Sequence, residues 1–254
     1  MTQVEKATAF AALHVPGAPV VLYNIWDAGS ARSVAAAGAK AIATGSWSVA
    51  EAQGYADGEQ LPLDTLLQVA ERIVASTDLP VSVDFEGGYA VDPETLAQNT
   101  ARLLGTGAIG INFEDQIVGG SGLHDIDTQV ARIRAVRAAA DAAGVSLFIN
   151  ARTDLFLKSK PDAHVDHIGE TLERASAYAD AGASGFFIPG LSDHELVARV
   201  CDQVSLPVNV MMRGKLASVS AVAALGVARA SYGPGPFANA MQQVGDGFTS
   251  AAAS

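Results

Sequence analysis

Apolar residues in this chain fall in short unbroken runs, each preceded by a longer stretch with helical spacing. Four times the helical stretch closes on small residues and a glycine before the next run begins. These are AAAGAKAIATG (35–45), LGTGAIGINFE (104–114), DAGASGFFIPG (180–190) and AALGVARASYGP (223–234). Glycine stops a helix readily because it accepts left-handed backbone without steric penalty. Apolar runs that do not alternate with polar residues are how strands covered on both faces read. In order, the pattern predicts strands at 19–26, 40–45, 80–86, 109–115, 146–152, 185–190, 207–212 and 229–233.

Helical periodicity fills the gaps. Over 64–75, Leu66, Leu67, Val69, Ala70, Ile73 and Val74 make one broad apolar face. Asp92-Pro93-Glu94 reads as an N-cap, a proline at the first helical position and an acid in the first turn. Asp127, Ser192 and Asp193 are further expected starts, and Asp27 with Ser30 opens the first helix after a strand, Ser30 as the cap. Eight alternations of strand and helix, in units of about 30 residues, predict a parallel sheet with right-handed crossovers closed into a (β/α)8 TIM barrel. The expectation is a single domain over 1–254, with an N-terminal helix at about 2–13 and a C-terminal helix at about 236–250. A doubly wound open sheet is the rival, but no GxGxxG follows the first strand.

Composition narrows the partners. With 49% hydrophobic and 17% charged residues the chain has ample core material. A net charge of −11 without any basic run argues against nucleic acid and anionic membrane. The single cysteine, Cys201, excludes an internal disulfide and suits a reducing cytoplasm. It falls on the stripe Leu196, Val197, Val200, Val204, as a core residue would. No signal peptide is expected from Met1 to Leu13, and no apolar run approaches the ~18 residues that span a bilayer.

A barrel of this kind carries its chemistry at the C-terminal ends of the strands. Asp84, Glu86 and Glu114 end the third and fourth strands, and Asp57 sits in the loop after the second. Converging carboxylates repel one another, and a hard divalent cation relieves this; Mg²⁺ fits, with Mn²⁺ as an alternative. Taken singly, each acid could equally cap a helix. Arg152 closes the fifth strand in NARTD, where it can bind a carboxylate or steady growing negative charge, or pair structurally with Glu114 or Asp154. Backbone N–H groups at Gly45-Ser46-Trp47 could hold a substrate carboxylate, although a plain turn reads the same way. Asn209, in the seventh strand, is a further substrate-binding candidate. Of five histidines only His124, after the fourth strand, is placed to act as an acid or base; His164, His167 and His194 read as helix-surface residues.

The runs WDAGSAR, TGSWSVAEAQGYADG, VSVDFEGGY, GINFEDQ and NARTD, in this order, resemble the isocitrate lyase/phosphoenolpyruvate mutase superfamily. The resemblance covers roughly 19–235. It implies that Asp84 binds the metal directly, Glu86 stands where a second acid sits, and Asp57 and Glu114 hold metal-bound water. It also implies that Ser46 and Trp47 clamp the substrate carboxylate and that Arg152 lies beside the reacting oxygen. A homotetramer with the last helix exchanged between subunits is expected on the same ground. The KKCGH loop of the isocitrate and methylisocitrate lyases is absent, because residues 116–124 read QIVGGSGLH, with neither cysteine nor lysine. Nor does that stretch contain the asparagine that meets the phosphoryl group in the mutases. The remaining expectation is a Mg²⁺-dependent lyase or decarboxylase of a small 2-oxo or 2-hydroxy dicarboxylate such as oxaloacetate, working through a metal-stabilised enolate. A carbon–phosphorus enzyme and a non-catalytic 2-oxo acid binder are the alternatives.

Overall fold

The computed structural model describes residues 1–253. Its strands are β1 (Val20–Leu22), β2 (Ile42–Ala43), β3 (Val81–Asp84), β4 (Gly110–Glu114), β5 (Phe148–Arg152), β6 (Gly185–Phe187), β7 (Val208–Met211) and β8 (Arg229–Ser231). All pair in parallel, in the order β1-β8-β7-β6-β5-β4-β3-β2. A parallel bridge between Ile25 and Thr44 joins the two ends of that sheet. There Ile25 N donates to the Ala43 carbonyl at 2.9 Å and Gly45 N to the Ile25 carbonyl at 3.3 Å. The result is a (β/α)8 barrel in one domain.

The helices are α1 (Gln3–Ala12), α2 (Ala28–Ala36), α3 (Ser46–Ala52), α4 (Leu63–Ala75), α5 (Pro93–Gly105), α6 (Ile126–Ala142), α7 (Leu155–Lys158), α8 (Ile168–Asp180), α9 (His194–Gln203), α10 (Val219–Ala224) and α11 (Gly235–Ala252). The predicted strands run beyond the observed ones because the apolar runs continue into buried connections; Ile25 and Phe85 are buried after their ladders end. Two caps also differ from expectation. Asp27 itself caps α2 and Ser30 reciprocates. Asp125 rather than Asp127 caps α6. Of the expected starts at Ser192 and Asp193, Asp193 is the cap of α9. Asp92 caps α5 with Pro93 in its first turn, as the sequence indicates.

One end of the barrel is closed by α1. Gln3 Nε2 donates to the carbonyls of Leu104 and Ala108, each at 2.9 Å, and Phe10 packs edge-on against Phe148 at the start of β5. That leaves the opposite end, where the strands finish, for a site. His164 is buried, not on a helix surface: it lies in a 3-10 helix (Pro161–His167) and its Nε2 donates to the Phe156 carbonyl at 3.1 Å. At the C-terminus only Pro236 and Phe237 of α11 are buried. Phe237 sits edge-on to both Trp26 and Trp47, fixing the start of the helix at the barrel mouth.

Candidate active site

The strand ends surround a cavity of about 450 Å³. Asn24, Ser46, Asp57, Asp84, Asn112 and Arg152 supply its polar wall. Leu157, Phe187, Pro189, Met211 and Ala238 supply its apolar lining.

Asp84 is buried at the end of β3. Its backbone N–H donates to Thr44 Oγ1 at 2.8 Å, and its Oδ2 accepts from Ser46 N at 2.9 Å. The other oxygen, Oδ1, is buried with no partner. A buried anionic oxygen without a partner is costly, and its natural complement is a cation. Asp57 lines the same cavity; burial and then the Asp84 charge raise its pKa, against a hydrogen bond from Ser46. Glu86 is pushed up to about 8 by burial and by Asp84 and Asp57. Burial also raises Glu114, with Arg152 opposing and the neighbouring carboxylates reinforcing.

The two loops that carry these acids are stitched together. Glu59 N donates to Glu86 Oε2 and Tyr89 N to Glu59 Oε1, both at 2.8 Å. Among the described residues, three non-glycine residues have left-handed backbone, Glu59 (φ 58°), Glu86 (φ 49°) and Tyr89 (φ 59°), and all belong to these loops. Such strain persists where surrounding bonds over-determine the conformation, commonly at functional sites. Between them Gly88 (φ 76°) is required, since a Cβ there would meet Leu96 Cδ1 at 2.3 Å.

Arg152 ends β5 in a fixed pose. Nε and Nη2 grip Asp154 Oδ1 and Oδ2 at 2.6 and 2.9 Å, and Nη1 lies 3.0 Å from Glu114 Oε2. Burial works against its charge, but Glu114 and Asp154 outweigh this and hold it above its ordinary value. Asp154 is itself held: its N–H donates to Asp115 Oδ1 at 3.0 Å, while Asp115 Oδ2 accepts from Tyr178 OH and Arg174 Nη1 at 2.9 and 3.2 Å. Arg152 thus lines the cavity and is paired with Glu114 and Asp154 at once.

Among the predicted residues, Ser46, Trp47, Asp57, Asp84 and Arg152 meet at the cavity. Glu86 and Glu114 do not line it, but the Asp84 charge acts on both. The structure does not bring His124 to the cavity. Its N–H donates to the Asp115 carbonyl at 2.8 Å, its own carbonyl accepts from Arg174, and its ring is buried. Asn209 lies fully buried within β7 and does not line the cavity, with both side-chain polar atoms unpartnered. Sequence reasoning missed Asn24, which donates to the Thr44 carbonyl and accepts from Tyr232 N and Gly233 N, and Asn112, which accepts from Asn150 and the buried Arg229. Cys201 is half-buried, its thiol pushed up to about 12 by burial, which suits packing rather than attack.

The donor set can be tested against a metal. Among the described residues, no three His, Cys, Asp or Glu side chains form a compact chelating group. One bare carboxylate oxygen among further acids instead suits an ion that keeps several waters, which is the habit of Mg²⁺.

A family model described as phosphoenolpyruvate phosphomutase matches residues 10–252. The structure of a provisionally assigned phosphonomutase from Burkholderia cenocepacia J2315 superposes with a TM-score of 0.95 at 47% identity, covering 98% of this chain and 99% of that one. An uncharacterized protein of Mycobacterium tuberculosis is 33% identical over 246 residues, 94% of this chain and 90% of the relative. An oxaloacetate decarboxylase of Paraburkholderia xenovorans is 28% identical over 196 residues, 74% of this chain and 62% of the relative.

Proposed function

This chain belongs to the phosphoenolpyruvate phosphomutase family, within the isocitrate lyase/phosphoenolpyruvate mutase superfamily of lyases and mutases, and from that premise we propose a Mg²⁺-dependent carbon–carbon lyase or decarboxylase of a small 2-oxo or 2-hydroxy dicarboxylate. The observation that carries the reading is the pairing, in one cavity, of an unpartnered Asp84 oxygen with a doubly anchored Arg152.

Asp84 would hold the metal directly, and Asp57, Glu86 and Glu114 its waters. When bound, the metal supplies a Lewis acid that polarises the 2-oxo group. Ser46 and Trp47 fix the adjacent carboxylate. With oxaloacetate the bond between C3 and the distal carboxylate breaks, carbon dioxide leaves, and the electron pair becomes the enolate of pyruvate. The charge collects on the C2 oxygen, where Arg152 already stands and needs no rearrangement to stabilise it. A proton from water then reaches C3 and gives pyruvate. No side-chain acid is required, which agrees with a loop at 116–124 that contains neither cysteine nor lysine. The decarboxylase relative supports this choice of substrate.

Carbon–phosphorus chemistry is the second reading, favoured by the phosphonomutase likeness; the lack of asparagine in 116–124 weighs against it. Calorimetric titration with Mg²⁺ and then oxalate tests the site. Ordered binding that disappears in Asp84→Ala is expected, and equal metal affinity in both proteins would remove the assignment.

We place the enzyme in the cytoplasm as a homotetramer. Among the described residues, no helix is long and apolar enough to cross a membrane. Beyond Phe237, α11 leaves Met241, Val244 and Phe248 exposed by 44, 66 and 75%. A groove of about 700 Å³ beside β1 and α2 exposes Val21 and Tyr23. An exchanged last helix would cover both surfaces.

A further inference from the structure

Arg229, on β8, is 1% exposed and lies inside the barrel. It makes no ion pair among the described residues. Burial pulls its pKa down to about 9, against the charge of Asp84, so it stays a cation at neutral pH. A buried charge without an ion-pair partner works against folding, and such departures from good packing are expected where a site uses them.

The hydrogen bonds of Arg229 end on residues that line the cavity. Nη2 reaches across the barrel to Asn112 Oδ1 on β4 at 3.0 Å, and Nε donates to Ser231 Oγ at 3.2 Å. Arginine has donors and no acceptor, so each partner must turn an oxygen toward it. That fixes the Asn112 amide one way round, and Asn150 Nδ2 donates to the same Oδ1 at 2.8 Å. Asn112 Nδ2 makes no hydrogen bond among the described residues. Unlike Arg229 Nη1 it is not sealed off, and the surface it keeps faces the cavity. The Ser231 O–H likewise has no acceptor among the described residues. Asn112 also pairs in register with Asp84, the carboxylate with the bare oxygen.

The cavity needs such donors, because the fork of Arg152 is already taken by Glu114 and Asp154. We propose that Asn112 Nδ2 and the Ser231 hydroxyl bind an anionic oxygen of the substrate's 2-oxo acid head, and that Arg229 is the positioning residue that makes donors of both. The inference rests on the proposed function, which places an oxo acid beside Asp84. A cation on the far side of each group polarises it and strengthens the bond that it gives.

Calorimetry with Mg²⁺ alone, and then with oxalate, tests this without requiring turnover. Asn112→Asp keeps the side chain's size and both bonds to its oxygen, and gives Arg229 a carboxylate. It should therefore melt at or above the wild-type temperature. It removes the donor, so oxalate should bind roughly tenfold to hundredfold more weakly, the worth of a hydrogen bond to a charged group. Ser231→Ala should weaken oxalate about tenfold. Arg229→Met should also weaken oxalate about tenfold, while Mg²⁺, relieved of a nearby cation, binds at least as tightly as in the wild type. A fall in anion affinity without a fall in metal affinity is not what a packing role for Arg229 would give. Should Arg229→Met fail to fold, Arg229→Lys, which cannot serve both oxygens, is read in the same way. Oxalate affinity within twofold of the wild type in either Asn112→Asp or Ser231→Ala would overturn the donor pair and leave the proposed function standing. Parallel loss of Mg²⁺ and oxalate affinity in the Arg229 variant, or no loss of either, would overturn its positioning role. Absence of oxalate binding in the wild type would overturn the proposed function and this inference with it.

Discussion

Replacing Arg152 by alanine removes a guanidinium that serves two carboxylates at once. Glu114 and Asp154 are 3% and 2% exposed, and each would lose its cationic partner. Removing one partner of a buried ion pair costs about 3–5 kcal/mol. For a domain of this size 1 kcal/mol moves Tm by roughly 2–4 °C, so Arg152→Ala should melt about 6–20 °C below the wild type. If the reaction passes through an enolate, loss of one preorganised donor should also lower kcat by about 10²–10³. Oxalate, which resembles the enolate, should bind more weakly by a similar factor. Arg152→Lys keeps a positive charge but not the planar fork, so it should recover part of the stability and little of the rate. Melting temperature, kcat on oxaloacetate and oxalate affinity with Mg²⁺ are to be measured on the same preparations. A destabilised variant whose kcat per folded molecule and oxalate affinity match the wild type would refute a catalytic Arg152 and leave it a structural ion pair.

Glu86 has its folded pKa raised from 4.5 to about 8, so metal-free stability should be full below pH ~4.5 and fall as pH rises toward 8. Mg²⁺ binding requires the charged form, so affinity should rise over the same window with release of protons; calorimetry in buffers of different ionisation enthalpy reads this, and a pH-independent affinity would count against it. Thiol reagents should leave activity unchanged, because Cys201 is remote from the cavity lining and its thiol is held protonated; loss of activity in a folded Cys201→Ser variant would contradict that. Light scattering at micromolar concentration should give a tetramer mass that falls on replacing Val244 and Phe248 by serine, and a monomeric wild type would defeat the helix exchange.

Much of the fold was legible because its regularities are local. Glycines such as Gly38, Gly107, Gly182 and Gly226 stop helices in left-handed backbone, and the unbroken apolar runs after them mark parallel strands. Strand ends were less legible, because Ile25 and Phe85 are buried by packing beyond the last ladder bond. That error had a direct consequence for the site. With β1 read as far as residue 26, Asn24 counted as strand interior, whereas β1 stops at Leu22 and Asn24 faces the cavity. Asn112 and Arg229 were missed for a related reason: they lie inside strands that read as apolar throughout, and only barrel closure brings them together. The acids were visible because Asp84 and Glu114 end consecutive strands. His124 could not be judged from the chain, since what turns its loop away is the long-range grip of Arg174 on its carbonyl and on Asp115.

The account depends most on turnover at the metal site. The direct measurement is pyruvate and carbon dioxide formation from oxaloacetate by the wild-type protein, with and without Mg²⁺. Corrected for the metal-catalysed background, the expected result is equimolar pyruvate and carbon dioxide, abolished by chelation and by Asp84→Ala. Tight Mg²⁺-dependent binding of oxalate, with no product above background, would contradict the central claim and make the protein a binder of 2-oxo acids.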